Sequence, residues 1–119
     1  MSRLAALRAS CRGMTTPKQF LYVIRPTRPA MLVEGPDARE TAVVDEHFAY
    51  LQRLVAEGVV LMAGRTIDTG ERTFGLVVLQ ADSEDEARAR MRDDPAVAQG
   101  VMQAELYPYR VALWSATGP

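Results

Sequence analysis

The stretch TFGLVVLQADSEDE, residues 73–86, passes from a strand pattern to a helix pattern within a few residues. Its first part predicts a strand over 73–81 that is apolar on both faces, which is typical of the interior of a sheet. Ser83 then opens a helix, because a hydroxyl followed by Glu86 three residues later forms a capping box. The stretch therefore predicts a central strand followed by a helix.

The residues on either side of this stretch supply the other predicted elements. Strand patterns occur at 20–24, 59–64 and 103–113. A helix pattern over 38–57 is followed by Gly58, a natural helix stop. Its side chains recur at three- and four-residue spacing: Val43, Val44, His47, Phe48, Leu51, Leu54 and Val55. Irregular segments are predicted as a loop ending at Asp37, a hairpin turn at 68–71 and a turn at 96–100.

In chain order these elements form a β-α-β-β-α-β sequence. This is the ferredoxin-like α+β arrangement, in which two helices cover one face of an antiparallel sheet. The first and third strands are central in that topology, and both are apolar on both faces. The fourth strand contains Pro108, which belongs on an edge because proline cannot donate a hydrogen bond to a neighbouring strand.

The face of the sheet without helices is predicted to be apolar and in need of a cover. The simplest cover is a second copy of the same sheet, so a homodimer is expected. A pocket would then lie between the sheet and the helices or at the dimer edge. The side chains that could line it are Tyr22, Met62, Tyr107 and Tyr109.

Composition narrows the class of protein. The 119 residues suffice for one domain, and 48% hydrophobic with 24% charged residues is a globular mixture. The formal net charge of -1 gives no general attraction to nucleic acid or anionic lipid. No apolar run is long enough to span a membrane. A cytoplasmic protein without nucleic-acid or membrane partners is therefore predicted.

Three segments are predicted along the chain. Residues 1–17 are interpreted as a disordered basic extension, with a basic targeting peptide as the alternative. Residues 18–114 form the domain and 115–119 a short tail. Cys11, the single cysteine, lies in the extension, which excludes an intramolecular disulfide and a multi-cysteine metal site. No metal or organic cofactor is predicted.

His47 is the single histidine and the first candidate functional residue. Phosphate-binding loops, nucleophile elbows and zinc-protease motifs are absent from the sequence. On the apolar side of a helix, His47 is either a satisfied core residue or a group that exchanges a proton near neutral pH. Asp94-Pro95 is the second notable site, and it is either a turn that ends a helix or part of a functional site.

Several segments together resemble the YciI-like (YCII-related) domain family. They are EHFAYL (46–51), Gly58, LMAG (61–64) and DPAVAQGV (94–101), and the resemblance covers about 19–113. It implies a ferredoxin-like fold that dimerises as an α/β barrel, with an active-site pair that maps to His47 and Asp94. Many members have an aromatic residue where Ala96 stands, so a larger or differently shaped pocket is expected.

Two functions fit this resemblance. In the first, Asp94 accepts the Nδ1 hydrogen of His47, and Nε2 abstracts a proton from a small substrate such as an aromatic compound. Elimination or isomerisation would follow without a cofactor. In the second, the protein is a non-catalytic dimeric module that binds a small ligand or assists another protein, and the pair only braces the fold.

Further candidate residues are predicted around the pocket. Arginines that leave the first two strands could hold a carboxylate or phenolate, or could be solvated loop residues: Arg25, Arg28 and Arg65. Glu105 could be a further acid-base group or an exposed strand carboxylate. Tyr22 and Tyr107 are the candidate aromatic contacts to a substrate.

Overall fold

A computed structural model describes residues 17–68 and 70–116. The predicted extension up to residue 16, with Cys11, and the last three residues of the predicted tail lie outside this range. The elements are β1 (Lys18–Pro26), α1 (Ala30–Glu34), α2 (Ala38–Ala56), β2 (Val60–Arg65), β3 (Gly75–Ala81), α3 (Glu84–Asp93), α4 (Pro95–Ala98) and β4 (Met102–Tyr109).

The four strands form one antiparallel sheet in the order β2-β3-β1-β4. The first and third strands are central, and Pro108 lies in the edge strand β4. The long helices α2 and α3 pack on one face of this sheet. The ferredoxin-like α+β fold predicted from the sequence is therefore confirmed.

Alternation along the central strands divides the sheet into two faces. Phe20, Tyr22 and Ile24 of β1 are buried under the helices, and Leu79 and Val77 are their neighbours on β3. This cluster continues into α2 and α3 through Leu51, Leu54, Ala87 and Met91. The intervening residues of both strands point to the opposite face, where no helix of the described chain packs.

Two short helices occupy segments that the sequence predicted as irregular. The loop before Asp37 contains α1, and Arg28, two residues before α1, forms a bidentate ion pair with Glu40 of α2 at 2.6 and 2.8 Å. Hydrogen bonding to Arg28 lowers the pKa of Glu40 to about 2. The predicted turn at 96–100 begins inside α4, which Asp94 caps and Pro95 starts. The prediction of a turn was wrong at its start, because a single helical turn is too short to show a repeat of apolar residues in the sequence.

Side chains cap the N-termini of both long helices, but the capping box predicted at Ser83 is only half formed. Ser83 accepts a hydrogen bond from the Glu86 amide, as predicted, but the Glu86 carboxylate accepts from the Asp82 amide instead of closing the box on Ser83. A complete capping box occurs on α2, between Asp37 and Glu40. The last strand ends at Tyr109, not at residue 113, because its partner β1 begins at Lys18.

The buried face of α2 is turned slightly from the predicted one. Val43, His47, Leu51 and Leu54 are buried, whereas Phe48 is 62% and Val55 50% exposed. Phe48 and Val55 therefore lie at the rim between α2 and β2.

Candidate functional site

His47 lies on the inner face of α2 and is 9% exposed. Helical spacing places it one turn before Leu51 and one turn after Val43, both buried, so the helix directs its ring toward the sheet. Its Nδ1 atom lies 2.7 Å from Oδ1 and 2.9 Å from Oδ2 of Asp94. The structure thus brings together two residues that are 47 positions apart in the chain.

Asp94 is fully buried and accepts hydrogen bonds from three elements. As the N-cap of α4, it accepts the Ala96 amide hydrogen at Oδ1 over 3.0 Å. The Tyr22 hydroxyl, which comes from β1, donates to Oδ2 over 2.8 Å. His47 of α2 is the third partner. A carboxylate at this depth needs such donors, since burial of an unpaired charge is costly.

The partners of Asp94 fix the tautomer of His47. Burial raises the pKa of Tyr22 far above its usual value, and the Asp94 carboxylate raises it further, so the hydroxyl keeps its proton and acts as a donor. Nδ1 meets only carboxylate oxygens, so the neutral imidazole carries its hydrogen there. Nε2 is then left as the proton acceptor.

Nε2 of His47 makes no hydrogen bond to any residue that the structure describes. The His47 side chain keeps 11% of its surface exposed, so it is not sealed in the core. His47 lines a cavity of about 270 Å³ between α2 and the sheet, large enough for a small ligand. The other lining residues are mostly apolar: Ile24, Val44, Phe48, Leu51, Ala63, Gly64, Arg65, Leu76, Val77 and Met102.

Arg65 supplies a positive charge at this cavity. Strand β2 has a register shift between Val60 and Met62, and the residues at its end, Ala63, Gly64 and Arg65, line the cavity. The Arg65 Nε atom donates to the Thr66 carbonyl oxygen over 2.9 Å, which leaves the terminal amino groups for other partners. No carboxylate in the described residues forms an ion pair with Arg65.

Four predicted binding residues lie away from the cavity. Arg25, Glu105 and Tyr107 face the side of the sheet without helices, where Tyr107 donates to Glu105 over 2.9 Å. Arg25 lies over the Phe74 ring at 5.4 Å. Arg28 is engaged by Glu40 in the ion pair described above. None of the four lines the cavity of His47.

Tyr22, Met62, Tyr109 and Ala96 also lie outside the lining of this cavity. Tyr22 is 1% exposed and lies beneath Asp94 instead of lining the cavity. Met62 and Tyr109 are exposed on the opposite face of the sheet. Ala96 is buried in a cluster with Met31, Val43 and Val101 and does not itself line this cavity.

Sequence reasoning missed part of the cavity wall. Val44 lies three residues before His47, so helical spacing could have found it. Phe48 was predicted on the helix but not as a pocket residue. Met102 reaches the cavity from the start of β4, and no sequence pattern near it predicts that position.

The described residues offer little to a metal ion. Across 17–68 and 70–116 there is no group of three or more His, Cys, Asp or Glu side chains that could hold one. Among the described helices, none has the length and apolar character to cross a membrane.

Both a family model and solved structures match this chain. The family model of the YCII-related domain matches residues 20–110. A solved structure of 5-chloro-2-hydroxyhydroquinone dehydrochlorinase from Burkholderia phenoliruptrix AC1100, in complex with 2,5-dihydroxybenzoquinone, shares the fold. The TM-score is 0.56 at 21% identity, covering 76% of this chain and 93% of that one. A search of curated proteins found no match.

Proposed function

Because this chain belongs to the YCII-related domain family, we propose that His47 and Asp94 form a proton-transfer pair in a small-molecule enzyme. The observation that carries the proposal is the 2.7 Å contact of Nδ1 with a fully buried carboxylate, with Nε2 left accessible beside an apolar cavity. A general base needs a fixed tautomer and an accessible lone pair, and this arrangement supplies both.

The proposed reaction begins when Nε2 removes a proton from a carbon next to a carbonyl group or on a hydroxylated ring. The imidazolium that forms is stabilised by the Asp94 carboxylate. The electron pair left on the substrate then expels a leaving group, which gives elimination, or takes the proton back at another carbon, which gives isomerisation. Neither outcome requires a cofactor.

The proposed substrate is a small aromatic molecule with an anionic oxygen. Apolar side chains around the 270 Å³ cavity favour a ring, and Arg65 favours a carboxylate or phenolate at its edge. The structural neighbour named as a dehydrochlorinase acts on a chlorinated hydroxyhydroquinone, which makes that compound class the first to test.

The experiment is a turnover screen with the wild-type protein. Chlorinated and unchlorinated hydroxyhydroquinones and small aromatic acids are incubated with it, and ultraviolet absorbance, chloride release and product mass are followed. The proposal expects enzyme-dependent conversion of at least one compound. Binding of several compounds without conversion of any would contradict it.

Arg65 gives a first prediction on ligand selectivity. Arg65→Gln should weaken the binding of an anionic aromatic ligand such as benzoate about tenfold, since a charge-assisted hydrogen bond is lost. Binding of neutral benzamide should change little. Arg25→Gln is the matched control, because Arg25 faces the other side of the sheet. Isothermal titration calorimetry measures both ligands, and equal weakening by the two substitutions would rule out a role for Arg65.

A non-catalytic binding module is the second candidate function. One observation favours it: Asp94 caps α4 and joins β1 to α2, which is a structural role in its own right. In that case His47 serves the fold, and substitution of either residue lowers stability without any turnover to lose.

The protein is further proposed to form a homodimer through the face of the sheet that lacks helices. Leu21 and Val23 lie on that face, and Met62 is 49% and Tyr107 44% exposed there. Sedimentation velocity should give the mass of two chains, and Met62→Glu should shift the protein toward one chain. A single-chain mass for the wild-type protein at tens of micromolar would contradict this.

A further inference from the structure

We propose that Tyr22 is a positioning residue that acts through Asp94 to set the orientation and the proton affinity of His47. The inference deepens the proposed function and rests on it for its catalytic meaning. Its test needs no substrate, so its failure can be told apart from the failure of the enzymatic proposal.

The geometry forms a continuous chain of hydrogen bonds through the core. The Tyr22 hydroxyl lies 2.8 Å from Oδ2 of Asp94, and His47 Nδ1 lies 2.7 Å from Oδ1. Both carboxylate oxygens are thereby engaged, by a residue of the central strand and by a residue of the long helix, and His47 Nδ1 also lies 2.9 Å from Oδ2. The Ala96 amide completes the set at Oδ1. The carboxyl plane cannot rotate without breaking one of these bonds.

The chemistry of Tyr22 indicates a function for its hydroxyl. Tyr22 is 1% exposed and packs among apolar residues of the main core, a position where phenylalanine would bury the same ring. A buried hydroxyl is costly unless it is hydrogen-bonded, and the acceptor here is the one carboxylate that holds His47. The hydroxyl therefore contributes to the His47–Asp94 pair rather than to ring packing.

The electrostatic effect has a definite sign. Each donor to Asp94 takes up part of the carboxylate charge, and less of it remains to stabilise a protonated imidazole. Loss of the Tyr22 hydroxyl should therefore make His47 easier to protonate. The other ionisable groups near the pair are Arg65 of β2, beside the cavity, and Tyr50 of α2, whose hydroxyl is bonded to the Arg90 carbonyl oxygen. Asp93, Asp94, Arg90 and Arg53 lie near Tyr50 and act on it through their charges.

The experiment uses His47 as its own probe, because it is the single histidine of the chain. The imidazole carbon-bound proton resonances are followed by NMR as the pH is varied. In Tyr22→Phe the titration midpoint of His47 should rise by roughly half to one pH unit relative to the wild-type protein. Tyr50→Phe is the matched control and should leave the midpoint unchanged, since the Tyr50 hydroxyl bonds to a carbonyl oxygen over 2.7 Å and not to Asp94.

Two further measurements test whether the effect passes through Asp94. In an Asp94→Asn background, Tyr22→Phe should no longer move the His47 midpoint. In the wild-type protein labelled at tyrosine Cζ, the Tyr22 resonance should shift with the same midpoint as His47. This measurement does not depend on the folding of any variant. An unchanged His47 midpoint in Tyr22→Phe, or a Tyr22 resonance indifferent to His47 titration, would overturn the inference.

Discussion

Replacement of His47 by alanine is expected to lower kcat/KM by about 10²–10⁴-fold on whichever compound the turnover screen identifies. The substitution removes the Nε2 lone pair that the proposed reaction uses. Asp94 keeps its hydrogen bonds from Tyr22 and Ala96, so the carboxylate is not left unpaired. The fold should survive, because the lost ring borders a cavity and not the closed core.

The control for this variant is a measurement of stability beside the kinetics. Urea unfolding and sedimentation velocity of His47→Ala should report a folded protein with the oligomeric state of the wild-type protein. Undiminished turnover in a folded His47→Ala would exclude His47 as the base. A large fall in stability would instead favour the non-catalytic module, in which the histidine supports the fold.

Asp94→Ala is expected to cost about 3–5 kcal/mol of unfolding free energy. Three buried donors lose their acceptor, and each unsatisfied donor costs about 1–3 kcal/mol, partly offset by removal of a buried charge. The N-cap of α4 is lost at the same time. Urea unfolding at neutral pH measures the change.

Asp93→Ala is the matched control for this second prediction. Asp93 is the adjacent carboxylate at the end of α3 and is exposed, so its removal should cost little. Equal stabilities of the two variants would mean that the Asp94 carboxylate does not join β1, α2 and α4 as described.

The order and type of the main elements could be predicted because they follow from residue patterns. Three local patterns together allow few arrangements of strands and helices. They are the apolar run 76–79, the helical spacing around Leu51 and the edge proline Pro108. A helix as short as α1 shows no helical repeat of apolar residues, so the sequence did not predict it. The ion pair of Arg28, just before α1, with Glu40 of α2 depends on the packed fold.

The candidate site could be predicted only in part. His47 was identifiable by its position on a helix, but its contact with Asp94 joins distant segments and was implied only by the family resemblance. Strand alternation could have excluded Glu105 from the cavity. Glu105 pairs with Val23, and like Arg25 it points to the face of the sheet without helices. The role of Tyr22 had no sequence signal, because a buried tyrosine in a strand looks like any other core residue.

The most direct test of the central claim is proton exchange in heavy water. Compounds that bind the wild-type protein are incubated with it in deuterated buffer, and incorporation of deuterium at carbon is followed by NMR and mass spectrometry. Catalysed exchange at one carbon-bound position is expected for the wild-type protein and for Arg25→Gln, and its loss is expected in His47→Ala. Exchange by His47→Ala at the wild-type rate would contradict this expectation.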